Sequence, residues 1–190
     1  MKNKCRLVMI SVATLASVLF LGFGEAGAGA STPAGGSVNV YITPNTNGNG
    51  NGGGIVVFTG AIGDYGTTTG HSDKDGKPDK QGAYGNILLK KGTIRVDLAA
   101  FGAKAQSAGS QTPLNSAGCS QTISFSAPVT LVSGTGLYQG ISGTINLTET
   151  VALVYPRYSS GKNKGMCNAS NNAEPLATWA SITGSGTVSF

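Results

Sequence analysis

Apolar and polar residues alternate one by one along much of this chain. That two-residue period is what a pleated strand imposes when it turns successive side chains to opposite faces. In residues 38–43 (VNVYIT), Val38, Val40 and Ile42 share one face. Residues 55–62 (IVVFTGAI) read as a buried strand. Residues 83–90 (AYGNILLK) and 93–99 (TIRVDLA) flank Lys91-Gly92, a short hairpin connection in which the glycine is free to take positive φ. Ile94, Val96 and Leu98 fall on one face of the second segment and Arg95 and Asp97 on the other. Ile123 and Phe125 alternate with polar neighbours, and residues 129–133 lead into a glycine-rich stretch at 134–143. Beyond it Ile145, Leu147, Val151 and Leu153 continue one face as far as Tyr155. Residues 178–190 close the chain as one bent or two short strands. Residues 64–82 and 156–175 read as long polar loops, and no amphipathic helix is expected, because 99–105 is short and interrupted by Gly102.

About eight short strands with glycine-rich connections predict an all-β domain. Glycines at 134, 136, 140 and 143 permit the sharp bends that a sheet needs to curl shut. The expected architecture is therefore an antiparallel closed barrel with 134–143 as a corner, and a β-sandwich is the alternative. Residues 31–54 read as a linker, because NTNGNGNGGG at 45–54 has too little to bury. The strand at 38–43 either pairs with the barrel or tethers it. The barrel domain is expected over 55–190.

The first thirty residues have a different pattern. Lys2, Lys4 and Arg6 precede an apolar run from Leu7 to Phe23, and Ala28-Gly29-Ala30 supplies the small residues of a cleavage site. Residues 1–30 are therefore expected to be a signal peptide, with an uncleaved anchor as the alternative. The mature protein is expected to be secreted or extracytoplasmic, since no later stretch reaches the ~18 apolar residues of a membrane span.

Charge and cysteines narrow the partners. Thirteen Lys and Arg against eight Asp and Glu give +5; without residues 1–30 ten face seven, about +3. The basic residues are scattered rather than gathered with aromatics on one face, which argues against nucleic acid. Cys5 falls in the leader, and Cys119 and Cys167 are left as an even pair in an oxidising compartment, where a disulfide is the natural state.

Three groups of residues are candidates for chemistry. Asp73, Asp75 and Asp79 surround Gly76 like part of a calcium loop, although Lys74, Lys77 and Lys80 offset their charge and the EF-hand register is incomplete. The alternative is a solvated turn, and no cofactor other than calcium is suggested. Arg95, Asp97 and Glu149 are the charged residues within strand pattern, and on the lumen side of a hollow barrel each can serve as acid, base or cation partner. Arg95 and Asp97 oppose the apolar face of their strand, which suits an outer surface. Glu149 is in phase with Leu147 and Val151 and points where they point unless a bulge intervenes. His71 is the sole histidine, but no G-x-S-x-G elbow accompanies it, so an ordinary serine hydrolase is not expected. Tyr155, Arg157, Tyr158 and Trp179 suggest either an aromatic patch for an exported ligand or apolar filling of a barrel mouth.

The segment GTGLYQGISGTINLTE (134–149) resembles the G-x-G-x-[YF]-x-G-x-x-G segment of dirigent proteins and allene oxide cyclases, and ITGSGTVSF (182–190) is similar to their last strand in glycine spacing. More broadly the chain looks like exported bacterial proteins with an allene-oxide-cyclase-like barrel. The resemblance implies an eight-stranded antiparallel barrel whose lumen takes a small apolar molecule, with a homo-oligomer such as a trimer compatible. Members guide radical coupling or cyclise reactive intermediates, but no motif carries their polar lumen residues onto this chain. Two functions are expected on these grounds: an exported barrel that binds a small apolar molecule, with isomerising or guiding it as the enzymatic version, or a structural or surface-interaction module with a filled lumen.

Overall fold

The computed structural model describes residues 34–45, 53–79, 82–170 and 173–190. The expected leader at 1–30 and the middle of the Asn/Gly tract lie outside them. Eight strands run in chain order: β1 (Gly36–Pro44), β2 (Gly53–Gly60), β3 (Asp64–Thr69), β4 (Tyr84–Leu89), β5 (Gly92–Asp97), β6 (Ser120–Gly134), β7 (Ser142–Val154) and β8 (Ala177–Ser189). Each pairs antiparallel with the next, and β8 returns to β1, so the sheet closes into a barrel. Closure leaves no free edge among these strands, which rules out the sandwich.

The closing seam corrects one boundary. Val38 pairs with Gly60 on β2 and with Gly186 on β8, so 36–44 belongs to the barrel and its start moves back from residue 55. Val38 and Val40 are buried, and the hydrophobic gain of burying them holds this strand in place.

Two further expectations change. The polar stretch after Gly63 contains β3 (DYGTTT), whose inward positions are Asp64, Gly66 and Thr68 rather than apolar residues. An ideal Cβ on Gly66 would lie 1.8 Å from the Leu88 carbonyl oxygen, so β4 approaches β3 closely only because glycine stands there. A helix, α1 (Ala99–Gln111), also forms in spite of Gly102. Five alanines favour it. Its first turn is held by the Ala99 N–H on Asp97 Oδ1 at 2.8 Å, and its last carbonyls accept from Gln121 Nε2, at 2.6 Å for Thr112 O. Tertiary contacts at both ends thus supply what its weak amphipathic pattern does not.

The barrel has two unlike ends. The connections β2–β3, β4–β5 and β6–β7 gather at one end together with the C-terminus, and this end is plugged. The glycine-rich 134–143 stretch is not a strand corner: β6 ends at Gly134, a short 3-10 turn spans Gly136–Tyr138, and the chain folds under the barrel before β7 starts. The turn drives Tyr138 and Ile141 into the core, 1% and 2% exposed. Ile62 and Val188 complete the plug. At the opposite end lie the long connections, including α1 and the β3–β4 and β7–β8 loops.

Cys119 and Cys167 form a disulfide with a Cα–Cα distance of 5.3 Å, joining the start of β6 to the β7–β8 loop at this second end. Arg157 reinforces the same junction by donating to the carbonyls of Gly165 and Ala117, each at 2.7 Å.

Candidate functional site

Because Tyr138 and Ile141 fill one end, the lumen is packed below and hollow above. A cavity of about 230 Å³ occupies the open half. Its walls are mostly apolar and come from strands all around the barrel, among them Val40, Phe58, Ile87, Val129, Leu147 and Ile182. Pro44, Gly53, Thr69 and His71 stand at its rim, and Phe101 of α1 reaches over it. Phe101 packs on Phe125 with ring centroids 5.0 Å apart, which anchors the helix to β6.

Glu149 is the carboxylate of this cavity. No bulge disturbs β7 between Ile145 and Glu149, so the side chain follows Ile145 and Leu147 inward. Its cross-strand neighbours are Phe125 on β6 and Ile182 on β8, both apolar. Half-buried beside them, it has no hydrogen-bond or ion-pair partner among the described residues. Burial raises its pKa above the ordinary carboxylate value.

His71 also lines the cavity, at the mouth, which sequence alone did not foresee. Its Nδ1 lies 2.8 Å from the Gly82 carbonyl oxygen. A carbonyl only accepts, so Nδ1 carries the proton, and in the neutral ring Nε2 is left as an acceptor. Asn86 lines the same region, with its N–H donating to Thr69 Oγ1 at 3.1 Å. A loop histidine has no periodicity to signal its direction, so only the fold of the β3–β4 connection brings it to the lumen.

The other candidates lie elsewhere. Arg95 sits on the outer side of β5 over the Tyr84 ring, 4.7 Å from its centroid, and donates to the carbonyls of Asp73 and Lys74 at 2.7 and 2.8 Å. It clamps the β3–β4 loop against the wall. Asp97 holds the start of α1, as described above. Neither lines the cavity.

In the clamped loop, Asp73 Oδ1 accepts the N–H groups of both Asp75 and Lys77 at 2.9 Å, and Gly76 takes φ +84°. The carboxylate thereby shapes a turn of the loop's own backbone. Among the described residues no group of three or more His, Cys, Asp and Glu side chains comes together. Of the aromatic candidates, Trp179 is exposed on the outer face of β8, and the Tyr155 hydroxyl reaches Gln121 at 3.4 Å. No helix among the described residues is long and apolar enough to cross a membrane.

The cavity can therefore enclose an apolar body and offer it one carboxylate, with neutral polar groups near the rim. No protein-family model, curated protein or solved structure matches the chain.

Proposed function

We propose that this protein is an exported barrel that binds a small apolar molecule in the open half of its lumen. The observation that carries the reading is the apolar cavity of about 230 Å³, sealed below by Tyr138 and open above. Ligand sites are typically concave and apolar with a few placed polar groups, and this one has that composition. Apolar cavities of about 150 Å³ already admit benzene, so this larger one, open above, takes a ring-sized body and lets a longer molecule project from its mouth.

The likeness of residues 134–149 to the dirigent and allene oxide cyclase segment supports the same reading, since those barrels handle small apolar molecules. The disulfide supports export, because such bonds persist in oxidising compartments. If a reaction accompanies binding, Glu149 is the lumen group placed to move a proton.

The test is titration of the purified, disulfide-bonded protein with the neutral dye N-phenyl-1-naphthylamine, followed by fluorescence. One saturable site is expected in the wild type and its loss in Ile182→Trp, which fills the cavity from β8 while circular dichroism stays unchanged. Absence of saturable binding in the wild type would instead favour a structural or surface-interaction module.

A further inference from the structure

The polar groups of the cavity point to the kind of molecule it takes. Glu149 and His71 are the titratable residues among those lining it, and no Lys or Arg joins them. An ionised carboxylate accepts only, and in a neutral imidazole the Nδ1–Gly82 bond leaves Nε2 of His71 as an acceptor too. Thr69 Oγ1 is already engaged, donating to the Gly70 carbonyl and accepting from the Asn86 N–H. The charged and ring groups thus offer lone pairs, and the inward Thr68 hydroxyl is a neutral lining group that can donate. Glu149, between Phe125 and Ile182, has given up part of its water without gaining a protein partner.

We propose that the lumen selects an apolar amine, a ring-sized hydrocarbon body carrying one ammonium group that pairs with Glu149. This rests on the lumen being the binding site. An ammonium has a positive charge and several N–H donors, whereas an alcohol has one neutral donor and a carboxylate has neither donor nor compatible charge. In a low-dielectric setting opposite charges attract far more strongly than in water, so pairing restores the stabilisation that burial withdrew from Glu149. The apolar wall meanwhile takes up the hydrocarbon body. The same arrangement excludes an anion, whose charge would face the carboxylate.

Three probes with one hydrocarbon cage separate these outcomes: 1-aminoadamantane, 1-adamantanol and adamantane-1-carboxylate, each displacing N-phenyl-1-naphthylamine from the full disulfide-bonded protein at pH 7. The amine is expected to bind at least tenfold more tightly than the alcohol, and the carboxylate most weakly. In Glu149→Gln the amine should fall to within about twofold of the alcohol measured on the same variant. Equal binding of amine and alcohol to the wild type overturns amine selection and leaves the lumen as a neutral apolar site. A preference that survives in Glu149→Gln overturns the role of Glu149. If neither dye nor any probe binds, the lumen reading fails and amine selection fails with it. The wild-type series decides the matter even if the variant does not fold.

Discussion

The Tyr138 hydroxyl donates to Asp64 Oδ2 at 2.6 Å, joining residues 74 positions apart at the plugged end of the barrel. Asp64 also accepts the N–H of Tyr65 at 2.8 Å and that of Lys91 at 3.0 Å, so one carboxylate ties three connections together. Burial works to raise the Asp64 pKa, but the Tyr138 hydroxyl, the two N–H groups and the Lys91 charge outweigh it and hold the carboxyl below its usual value. Burial and the neighbouring carboxylate push the Tyr138 phenol above its own.

Tyr138→Phe removes one of the three donors to a buried carboxylate. The expected loss is about 1.5–3 kcal/mol in urea unfolding at pH 7, the range for hydrogen bonds to charged groups. The pH dependence follows from the two directions. A lowered Asp64 pKa gives stability that is present above the unfolded value near 4 and is lost as pH falls through the folded value. A raised Tyr138 pKa gives stability that is present below about 10 and is lost as pH rises beyond it. The variant should lose the alkaline decline attributable to this phenol, and unfolding curves at pH 7 and above 10 would reveal whether it does.

Glu149→Gln is expected to stabilise the protein near neutral pH. A carboxyl whose folded pKa is raised contributes stability below its unfolded value, near 4, and that contribution disappears as pH rises through the folded value. At pH 7 the wild type holds a poorly solvated charge that the amide lacks. Melting temperatures should differ in favour of the variant at pH 7 and converge near pH 3; a lower value for the variant at pH 7 would contradict the lumen environment described for Glu149.

Replacing Cys119 and Cys167 by Ser opens a loop spanning 48 positions. Chain entropy predicts a loss of roughly 4 kcal/mol. Hydrogen exchange should rise first around the start of β6 and the β7–β8 loop, at the open end, while the plugged end stays protected.

Two glycines should respond oppositely to alanine. Gly136 has φ +61° and an ideal Cβ there would lie 2.3 Å from the Lys91 carbonyl oxygen, so Gly136→Ala must shift backbone and is expected to cost at least about 1–2 kcal/mol. Gly102 lies in α1 with open space where its Cβ would stand, so Gly102→Ala should stabilise by about 0.5–1 kcal/mol. Parallel denaturation curves of the two variants distinguish the plug turn from the helix.

Much of the barrel could be read from the order of residues because a strand's pleat allows only two directions for a side chain. Alternation therefore told which of Ile145, Asn146, Leu147 and Thr148 face inward, and it carried Glu149 into the lumen with them. The pairing of Cys119 with Cys167 followed likewise, from their number and the expected compartment. Other features depend on atoms that meet only after the sheet has closed. β3 has no apolar alternation to betray it and is held between β2 and β4 by backbone bonds. α1 needs Asp97, Gln121 and Phe125 from neighbouring strands before its alanines can hold a helix. The packing of Tyr138 onto Asp64, and hence which end of the barrel is plugged and which is hollow, arises from contacts across long stretches of chain. A local pattern of residues registers the direction of each side chain, whereas a cavity exists only as the space between strands that the closed sheet brings together.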